Sequence, residues 1–225
     1  MSSVKPLIAL NFKVYKESLG PEGLRLCEIA SEVSLMSGVR IIVCPQTVDL
    51  MGASKVCENV YGQHTDANEV GAFTGSNTAE ALKSSGCVGS LVNHAEKKIP
   101  HEKVRGAVAR LTALGLESMV CTANIQESVD LATCKPSFLA VEPPELIGSG
   151  ISVSSAKPEI VTGTVDAVHK VAPDVPVICG AGISTPVDIK KACELGAVGV
   201  LLASAYVKSK DPKKLLSDMA AAVPL

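Results

Sequence analysis

The sequence has no tryptophan, and aromatic residues make up only 3% of its 225 positions. Apolar residues nevertheless amount to 47%, so aliphatic side chains and alanine must fill the core. Such side chains are the usual filling of parallel β-sheets that helices cover on both faces. The composition therefore favours an α/β fold, and the length suits a single domain, residues 1–225, with a sizeable core.

The chain also lacks a strong charge and a long apolar run. Its formal net charge is −2, which offers little attraction to nucleic acid or to an anionic membrane. No apolar stretch approaches the ~20 residues of a membrane-spanning helix, and the first residues lack the apolar stretch of a signal peptide. We therefore expect a cytoplasmic protein without nucleic-acid or membrane partners.

No Cys-x-x-Cys pair occurs among the eight cysteines. Most of them stand in apolar runs, such as those that end at Cys44 and Cys121, where cysteine behaves as a small buried apolar residue. No spacing typical of metal ligands is present either. The sequence therefore predicts free thiols in a reducing compartment, with no metal and no cofactor.

Short apolar strands alternate with amphipathic helices along the whole chain. Proline and glycine mark several helix ends; Pro21, for example, begins the first helix and Gly38 follows it. Eight strand–helix pairs can be counted, and the weakest strand is the third, Val56–Gly62. Eight such units in ~200–250 residues predict a closed, eight-stranded parallel (β/α)8 barrel. The alternative is an open doubly wound sheet, but no Gly-x-Gly-x-x-Gly follows the first strand.

The segment Leu139–Gly150 begins with the end of an apolar strand, and Glu142 follows this strand directly. A carboxylate at the end of a buried strand is held rigidly and is partly desolvated, which raises its pKa towards that of a useful base. Two prolines then stiffen the exit from the strand, whereas Gly148 and Gly150 free the backbone beyond them. This pattern indicates a lid over a small anionic substrate.

In a barrel of this kind the chemistry lies at the carboxyl ends of the strands. The residues predicted to lie there are Asn11, Lys13, Asn93, His94, Glu142, Gly180–Gly182, Ala203 and Ser204. One base, one imidazole and one cation suit the transfer of a proton next to the carbonyl of a phosphorylated substrate. Backbone amides at Gly148, Gly182 and Ser204 would hold the phosphate.

Several segments resemble the triosephosphate isomerase family, in the right order and at strand ends. They are Asn11-Phe12-Lys13, Asn93-His94-Ala95-Glu96, Ala140-Val141-Glu142-Pro143 and Ile147-Gly148-Ser149-Gly150. The stretch 71–75 resembles the interface loop of this family. The short length, the Pro-Pro-Glu-Leu form of the lid and the segment 179–184 are most similar to the compact archaeal members.

The resemblance implies a TIM barrel that interconverts dihydroxyacetone phosphate and D-glyceraldehyde 3-phosphate in glycolysis and gluconeogenesis. It implies that Glu142 is the base, that His94 is the neutral electrophile and that Lys13 supplies positive charge. Further residues would bind the substrate: Asn11, Lys13, Ile147, Gly148, Gly182, Ala203 and Ser204. Glu96 would position Lys13 or the lid, and the lid, residues 143–150, would exclude water from the enediol.

Two positions depart from the bacterial and eukaryotic pattern of the family. Pro144 and Glu145 replace a tryptophan in the lid, and Ala203-Ser204 replaces a pair of glycines after the eighth strand. Alanine and serine still offer backbone N–H groups, so we expect phosphate binding to be retained.

The polar loop Gln63–Gly75 is long for a connection inside a compact domain. The resemblance implies that it inserts into a neighbouring subunit, with Thr74 near that neighbour's Asn11 and Lys13. We therefore expect a homo-oligomer, with a tetramer favoured over a dimer.

Two other functions remain open at this stage. A Schiff-base aldolase would need a desolvated lysine inside a strand, and the predicted strands five, six and seven contain none. A barrel that only binds a sugar phosphate would have no need of a base and an electrophile together.

Overall fold

Eight parallel strands form one sheet in the computed structural model, which describes residues 6–146 and 152–224. The strands are β1 Leu7–Asn11, β2 Arg40–Cys44, β3 Tyr61–Gly62, β4 Gly89–Val92, β5 Glu117–Thr122, β6 Phe138–Val141, β7 Val177–Cys179 and β8 Gly199–Leu202. The helices are α1 Pro21–Ser37, α2 Leu50–Ala53, α3 Ala79–Ser84, α4 His101–Ala113, α5 Ile125–Ala132, α6 Val153–Ala156, α7 Pro158–Val171, α8 Pro186–Glu194, α9 Ser204–Val207 and α10 Pro212–Ala221. Single 3-10 turns occur at Lys16–Ser18, Thr47–Asp49, Ala95–Lys97 and Pro144–Leu146.

The strands curve into a nearly closed barrel with the order β2-β1-β8-β7-β6-β5-β4-β3. Its two end strands, β2 and β3, meet at an isolated bridge between Val43 and Val60, where the Val43 N–H donates to the Asn59 carbonyl at 2.9 Å. The predicted parallel α/β barrel is therefore present, but a continuous ladder does not seal this seam.

The third strand is much shorter than predicted, and this explains the weak seam. The backbone at Val56 and Cys57 donates hydrogen bonds to Ala53 and so continues the turn that ends α2. Residues occupied in a helical turn cannot pair with a neighbouring strand. The prediction of a strand over Val56–Gly62 is therefore wrong for its first residues.

Alternate residues of the strands face two different apolar layers, as the period of a β-strand requires. In β1, Leu7 and Ala9 point into the barrel, whereas Ile8 and Leu10 pack against the surrounding helices. The barrel interior also receives Phe138 from β6. This packed interior makes the barrel a rigid support for side chains that follow the strands.

Most helix ends follow local signals in the sequence. Proline occupies the first position of α1, and Gly38 ends that helix with φ 73°, in the left-handed region. Helix α8 begins with a capping box between Thr185 and Asp188. The short helices α6 and α9 were not predicted, because four residues are too few to show a helical period.

A charged cluster lies at the amino ends of β2, β3 and β5, the end of the barrel opposite to the predicted chemistry. The Arg40 guanidinium donates to both carboxylate oxygens of Glu117, and the Tyr61 hydroxyl donates to Glu117 Oε2 at 2.5 Å. Burial alone would raise the pKa of Glu117, but these hydrogen bonds outweigh it and lower that pKa. The cluster links both seam strands to β5 across the floor of the barrel.

All eight cysteines are free thiols, as predicted. None of the helices in the described part of the chain is long and apolar enough to span a membrane.

Candidate functional site

A cavity of about 220 Å³ opens at the carboxyl ends of the strands. Residues that follow β1, β4, β6, β7 and β8 line it: Asn11, Lys13, Tyr15, His94, Glu142, Gly180, Gly182, Ile183, Ser184, Ala203, Ser204 and Ala205. These residues are far apart in the sequence, and the parallel sheet brings them to one mouth.

Glu142 immediately follows β6 and is only 3% exposed. Its backbone N–H donates to the Thr122 carbonyl at 2.7 Å, which extends the β5–β6 ladder and fixes the residue. Burial raises the pKa of the Glu142 carboxyl, and the nearby His94 and a hydrogen bond from the Cys121 thiol offset part of that rise. Among the described residues, Oε2 of Glu142 has no hydrogen-bond partner. This oxygen is therefore free to accept a proton from a bound molecule.

The His94 ring lies beside this carboxylate, with Nε2 3.6 Å from Glu142 Oε2. Its Nδ1 accepts a hydrogen bond from the Glu96 backbone N–H at 3.2 Å. Because Nδ1 is an acceptor, the proton of the neutral ring belongs on Nε2. The imidazole can thus donate a hydrogen bond towards the cavity without being charged.

Lys13 supplies the positive charge of the cavity. It adopts φ 47°, in the left-handed region, and two side chains hold its backbone there. The Asn11 carbonyl oxygen Oδ1 accepts from the Lys13 N–H at 2.9 Å, and Gln63 donates to the Lys13 carbonyl at 2.7 Å. The Lys13 ammonium donates to Glu96 Oε1 at 2.7 Å. This contact agrees with the expectation that Glu96 positions Lys13.

Small residues after β7 and β8 form the opposite wall of the cavity. The Gly182 backbone has φ 70°, and within the described chain its N–H has no intramolecular acceptor. Ser204 begins the short helix α9, so its N–H also lacks a partner inside the helix. This wall can therefore present backbone donors to an anion.

Gly180 allows the two walls to approach each other. A Cβ atom at this position would lie 2.4 Å from Cγ of Glu142 and 3.0 Å from its Cδ. The position therefore excludes every other residue type unless the Glu142 side chain moves.

The structure brings together eight of the residues predicted at this mouth: Asn11, Lys13, His94, Glu142, Gly180, Gly182, Ala203 and Ser204. Asn93, also predicted there, does not line this cavity. Ile147 and Gly148 were also predicted to bind substrate, but they lie outside the described residues. Sequence reasoning missed Tyr15 and Ser184, which also line the cavity. Tyr15 stands two positions after Lys13 in a chain with only three tyrosines, and that position was an available signal.

A second, larger groove of about 540 Å³ adjoins the first on the side of Lys13. Its lining includes Gln63, His64 and Asn77 from the base of the long polar loop, together with Lys97. Asn77 closes that base, because its N–H donates to Asp66 at 2.7 Å and its side chain to the His64 carbonyl at 2.6 Å. Residues 67–75 therefore project from a fixed stem.

The part of the chain that the structure describes contains no group of three or more His, Cys, Asp or Glu side chains that could hold a metal ion.

Comparison with known proteins gives matches over nearly the whole chain. The family model described as triosephosphate isomerase matches residues 6–219. A triosephosphate isomerase of Methanothermus fervidus is 50% identical over 216 residues, which cover 96% of this chain and 97% of that protein. The one from Methanocaldococcus jannaschii is 48% identical over 214 residues, covering 95% and 98% respectively. The one from Methanothermobacter thermautotrophicus is 46% identical over 219 residues, covering 97% and 96%.

Proposed function

The chain belongs to the triosephosphate isomerase family and interconverts dihydroxyacetone phosphate and D-glyceraldehyde 3-phosphate, a step of glycolysis, and we propose that Glu142 and His94 carry the chemistry. The observation that supports this assignment is the 3.6 Å separation between His94 Nε2 and Glu142 Oε2 at the mouth of the barrel. Two groups at this distance can act on neighbouring atoms of one small substrate.

Glu142 acts as the base. Its unpartnered oxygen takes a proton from the carbon next to the substrate carbonyl, and the electron pair of that C–H bond moves onto the carbonyl oxygen to give an enediolate. The former carbonyl oxygen gains a proton and the neighbouring hydroxyl oxygen loses one, so that the double bond to oxygen re-forms at the other carbon. The same carboxylic acid then returns its proton to the carbon that carried the original carbonyl. No electron leaves or enters the substrate overall, so the reaction needs no oxidant or reductant.

His94 and Lys13 stabilise the charge that develops on the substrate oxygens. The His94 Nε2–H donates to these oxygens as a neutral electrophile, and triosephosphate isomerase is itself the standard example of this Glu/His division of labour. Lys13 adds positive charge, while Asn11 and Gln63 keep its backbone in the left-handed conformation. Fixed donors of this kind contribute most where water is excluded.

The phosphate is bound at the opposite wall by the backbone N–H groups of Gly182, Ala203 and Ser204. In the family pattern Ile147 and Gly148 belong to the lid over the substrate, and for these two residues the assignment is a prediction from sequence alone. Backbone donors hold a phosphate without a formal charge. Among the residues that the structure describes, the Gly182 N–H has no acceptor, which supports this assignment.

We infer that a second copy of the chain occupies the groove beside Lys13. The tip of the loop Gln63–Gly75 exposes Val70 and Phe73, and Arg110 of α4 holds the loop through Glu69 at 3.4 Å. An exposed apolar tip on a fixed stem suits insertion into a preformed groove. We infer that this loop joins subunits, that Thr74 approaches the neighbour's Asn11 and Lys13, and that the assembly is a tetramer rather than a dimer.

The remaining assignments concern the whole chain. We infer that residues 1–225 act as one catalytic domain, that the barrel works as a closed ring, and that the enzyme operates in the cytoplasm, in gluconeogenesis as well as glycolysis. The isolated bridge at Val43 and the link between Arg40 and Glu117 support closure.

A coupled assay of both directions with purified protein tests the roles of the two residues. Glu142→Asp should lower kcat at least 100-fold with a much smaller change in KM, because the shorter side chain moves the base away from the carbon. Equal loss of kcat and of substrate affinity would contradict the role of Glu142 as the base.

A further inference from the structure

Asn93, the residue before His94, has an unusual backbone conformation. It follows β4 with φ 64°, in the left-handed region, which is sterically unfavourable for a non-glycine residue. Asparagine tolerates this region better than most residues because its short side chain can form local hydrogen bonds. The turn at Asn93 directs the following loop, and therefore His94, into the cavity.

The Asn93 side chain is engaged at both ends. Its amide Nδ2 donates to the Cys121 carbonyl at 3.0 Å and to Glu127 Oε1 at 3.1 Å. Its Oδ1 accepts from the Ile99 N–H at 3.2 Å. The side chain therefore ties the beginning of the loop to its end and to the neighbouring strand β5.

Glu127, on the first turn of α5, completes this arrangement. Its side chain is 12% exposed, and its Oε1 accepts from Lys98 Nζ at 2.5 Å as well as from Asn93. Its Oε2 accepts from the Ala123 N–H at 2.6 Å. One carboxylate thus holds Asn93 and Lys98, the two residues that flank the loop His94–Lys97.

The position of this loop determines how the imidazole can act. The Glu96 N–H that bonds to His94 Nδ1 belongs to the 3-10 turn Ala95–Lys97, which lies between the two residues that Glu127 holds. The same turn carries the Glu96 carboxylate that accepts from Lys13. A shift of this loop would therefore disturb two catalytic groups at once.

We propose that Glu127 is a positioning residue for the isomerisation: through Asn93 and Lys98 it fixes the loop that sets the orientation and the proton position of the His94 ring. This inference rests on the proposed role of His94 as the electrophile. Glu127 and Asn93 thus affect the reaction through the His94 loop, and neither lines the cavity.

Asn93→Gly separates the side-chain bonds from the backbone conformation, because glycine adopts φ 64° without steric strain. We expect kcat to fall by about 10- to 100-fold in Asn93→Gly and in Glu127→Ala, with KM changed less than twofold. The double variant should lose no more than either single variant, since both break the same bond network. Glu127→Gln, which keeps an acceptor for Asn93, should recover part of kcat.

Asp130→Ala is the matched control. Asp130 lies on the same helix and is likewise paired, with Arg105 at 2.6 Å and with His101 at 2.7 Å, and His101 Nε2 also lies 3.4 Å from Glu127 Oε1. Replacing Asp130 removes none of the bonds from Glu127 to Asn93 and Lys98. Its replacement should leave kcat unchanged even if it lowers the melting temperature. Nitrogen NMR of the His94 ring should show the Nδ1 hydrogen bond in the parent and in Asp130→Ala, and its loss in Asn93→Gly.

The proposal is overturned if folded Asn93→Gly keeps the parent kcat, or if kcat in each variant merely follows its loss of melting temperature. If Glu127→Ala does not fold, Asn93→Gly and Glu127→Gln decide the matter. An unaltered kcat in these variants would leave the function of Glu142 and His94 standing, whereas His94→Gln with parental activity would remove the proposed function itself.

Discussion

Glu142 is set apart from the other carboxylates of the chain by its surroundings. Glu117 and Glu127 are also sheltered, but hydrogen bonds from cationic side chains lower their pKa values despite the opposing effect of burial. For Glu142 burial dominates and raises the pKa, because one oxygen lacks a donor. A carboxylate with a raised pKa is a stronger base, and this difference distinguishes Glu142, the proposed base, from Glu117 and Glu127.

The raised pKa of Glu142 makes a prediction about stability. Because the folded state binds this proton more tightly than the unfolded state, the free energy of unfolding falls as pH rises from the ordinary glutamate pKa of 4.5 to the raised value. Above that window Glu142→Gln should melt at a higher temperature than the parent. Below the ordinary pKa the two should converge. Thermal denaturation across pH measures both, and a less stable Glu142→Gln at neutral pH would contradict the stated balance of effects.

Gly180→Ala tests the geometry of the same residue without changing its charge. The new Cβ would lie 2.4 Å from Glu142 Cγ, so the carboxylate must shift, and kcat should fall by about 100-fold. In the control Gly163→Ala the Cβ meets only the flexible end of Ile125, at 2.8 Å, and we expect parental activity. Steady-state kinetics would count against this reasoning if both variants were equally active.

At the level of elements, the cavity lies at the carboxyl ends of the strands, whereas the cluster of Arg40, Tyr61 and Glu117 lies at their amino ends, the floor of the barrel. The seam between β2 and β3 has a single bridge, while Arg40, Tyr61 and Glu117 connect these strands to β5 at the amino end. The carboxyl ends of the strands are thereby free to present polar side chains. We therefore expect substitutions of Arg40, Tyr61 or Glu117 to lower the stability of the protein and to leave its activity unchanged.

Tyr61→Phe tests this division. It removes the hydroxyl that donates to Glu117 at 2.5 Å and should lower the free energy of unfolding by about 1–2 kcal/mol. Urea denaturation at neutral pH measures the loss, and kcat and KM should equal those of the parent. The lowered pKa of Glu117 means that its contribution is present above the ordinary glutamate pKa and is lost as the solution becomes more acidic. A drop in kcat without a loss of stability would contradict the separation.

The sequence was sufficient to predict the elements whose signals are local. The apolar strands β1, β2 and β6 and the proline-initiated helices α1 and α7 fall where the pattern indicates. The sequence could not predict the short β3, because Val56 has a strand-forming side chain while its backbone is engaged in the turn after α2. Local propensity is overridden there by the hydrogen bonds of the preceding helix.

The residues of the site also fall into two groups, those that local sequence signals indicate and those that only tertiary contacts reveal. The placement of Glu142 and His94 at the mouth of the barrel could be predicted, because each follows a recognisable strand end and belongs to a family segment. Their catalytic roles stay predictions. Glu127 could not be predicted, since its role depends on contacts with Asn93 and Lys98, 34 and 29 residues away. Such contacts become visible only when the fold brings α5 next to the end of β4.

At the scale of the whole molecule, the groove beside Lys13 and the exposed loop tip are the observations on which the proposed self-association rests. Phe73 is 52% exposed at that tip, and Val70 of the same loop is exposed as well, so that the tip offers two apolar side chains to a partner surface. Phe73→Asp should therefore yield smaller species in light scattering, with lower activity because the groove borders the catalytic lysine. Phe73→Tyr is the conservative control. A parent enzyme that is monomeric and fully active across dilution would refute the assembly.

The central claim is that one buried carboxylate and one neutral imidazole, brought together by eight parallel strands, move a proton between adjacent carbons. The most direct measurement is the incorporation of deuterium from heavy water into the product, followed alongside turnover of dihydroxyacetone phosphate. The parent should exchange the transferred proton with solvent during turnover, and Glu142→Gln should reduce turnover and exchange together by about 10³-fold. Exchange and turnover at the parental rate in a folded Glu142→Gln protein would contradict the account.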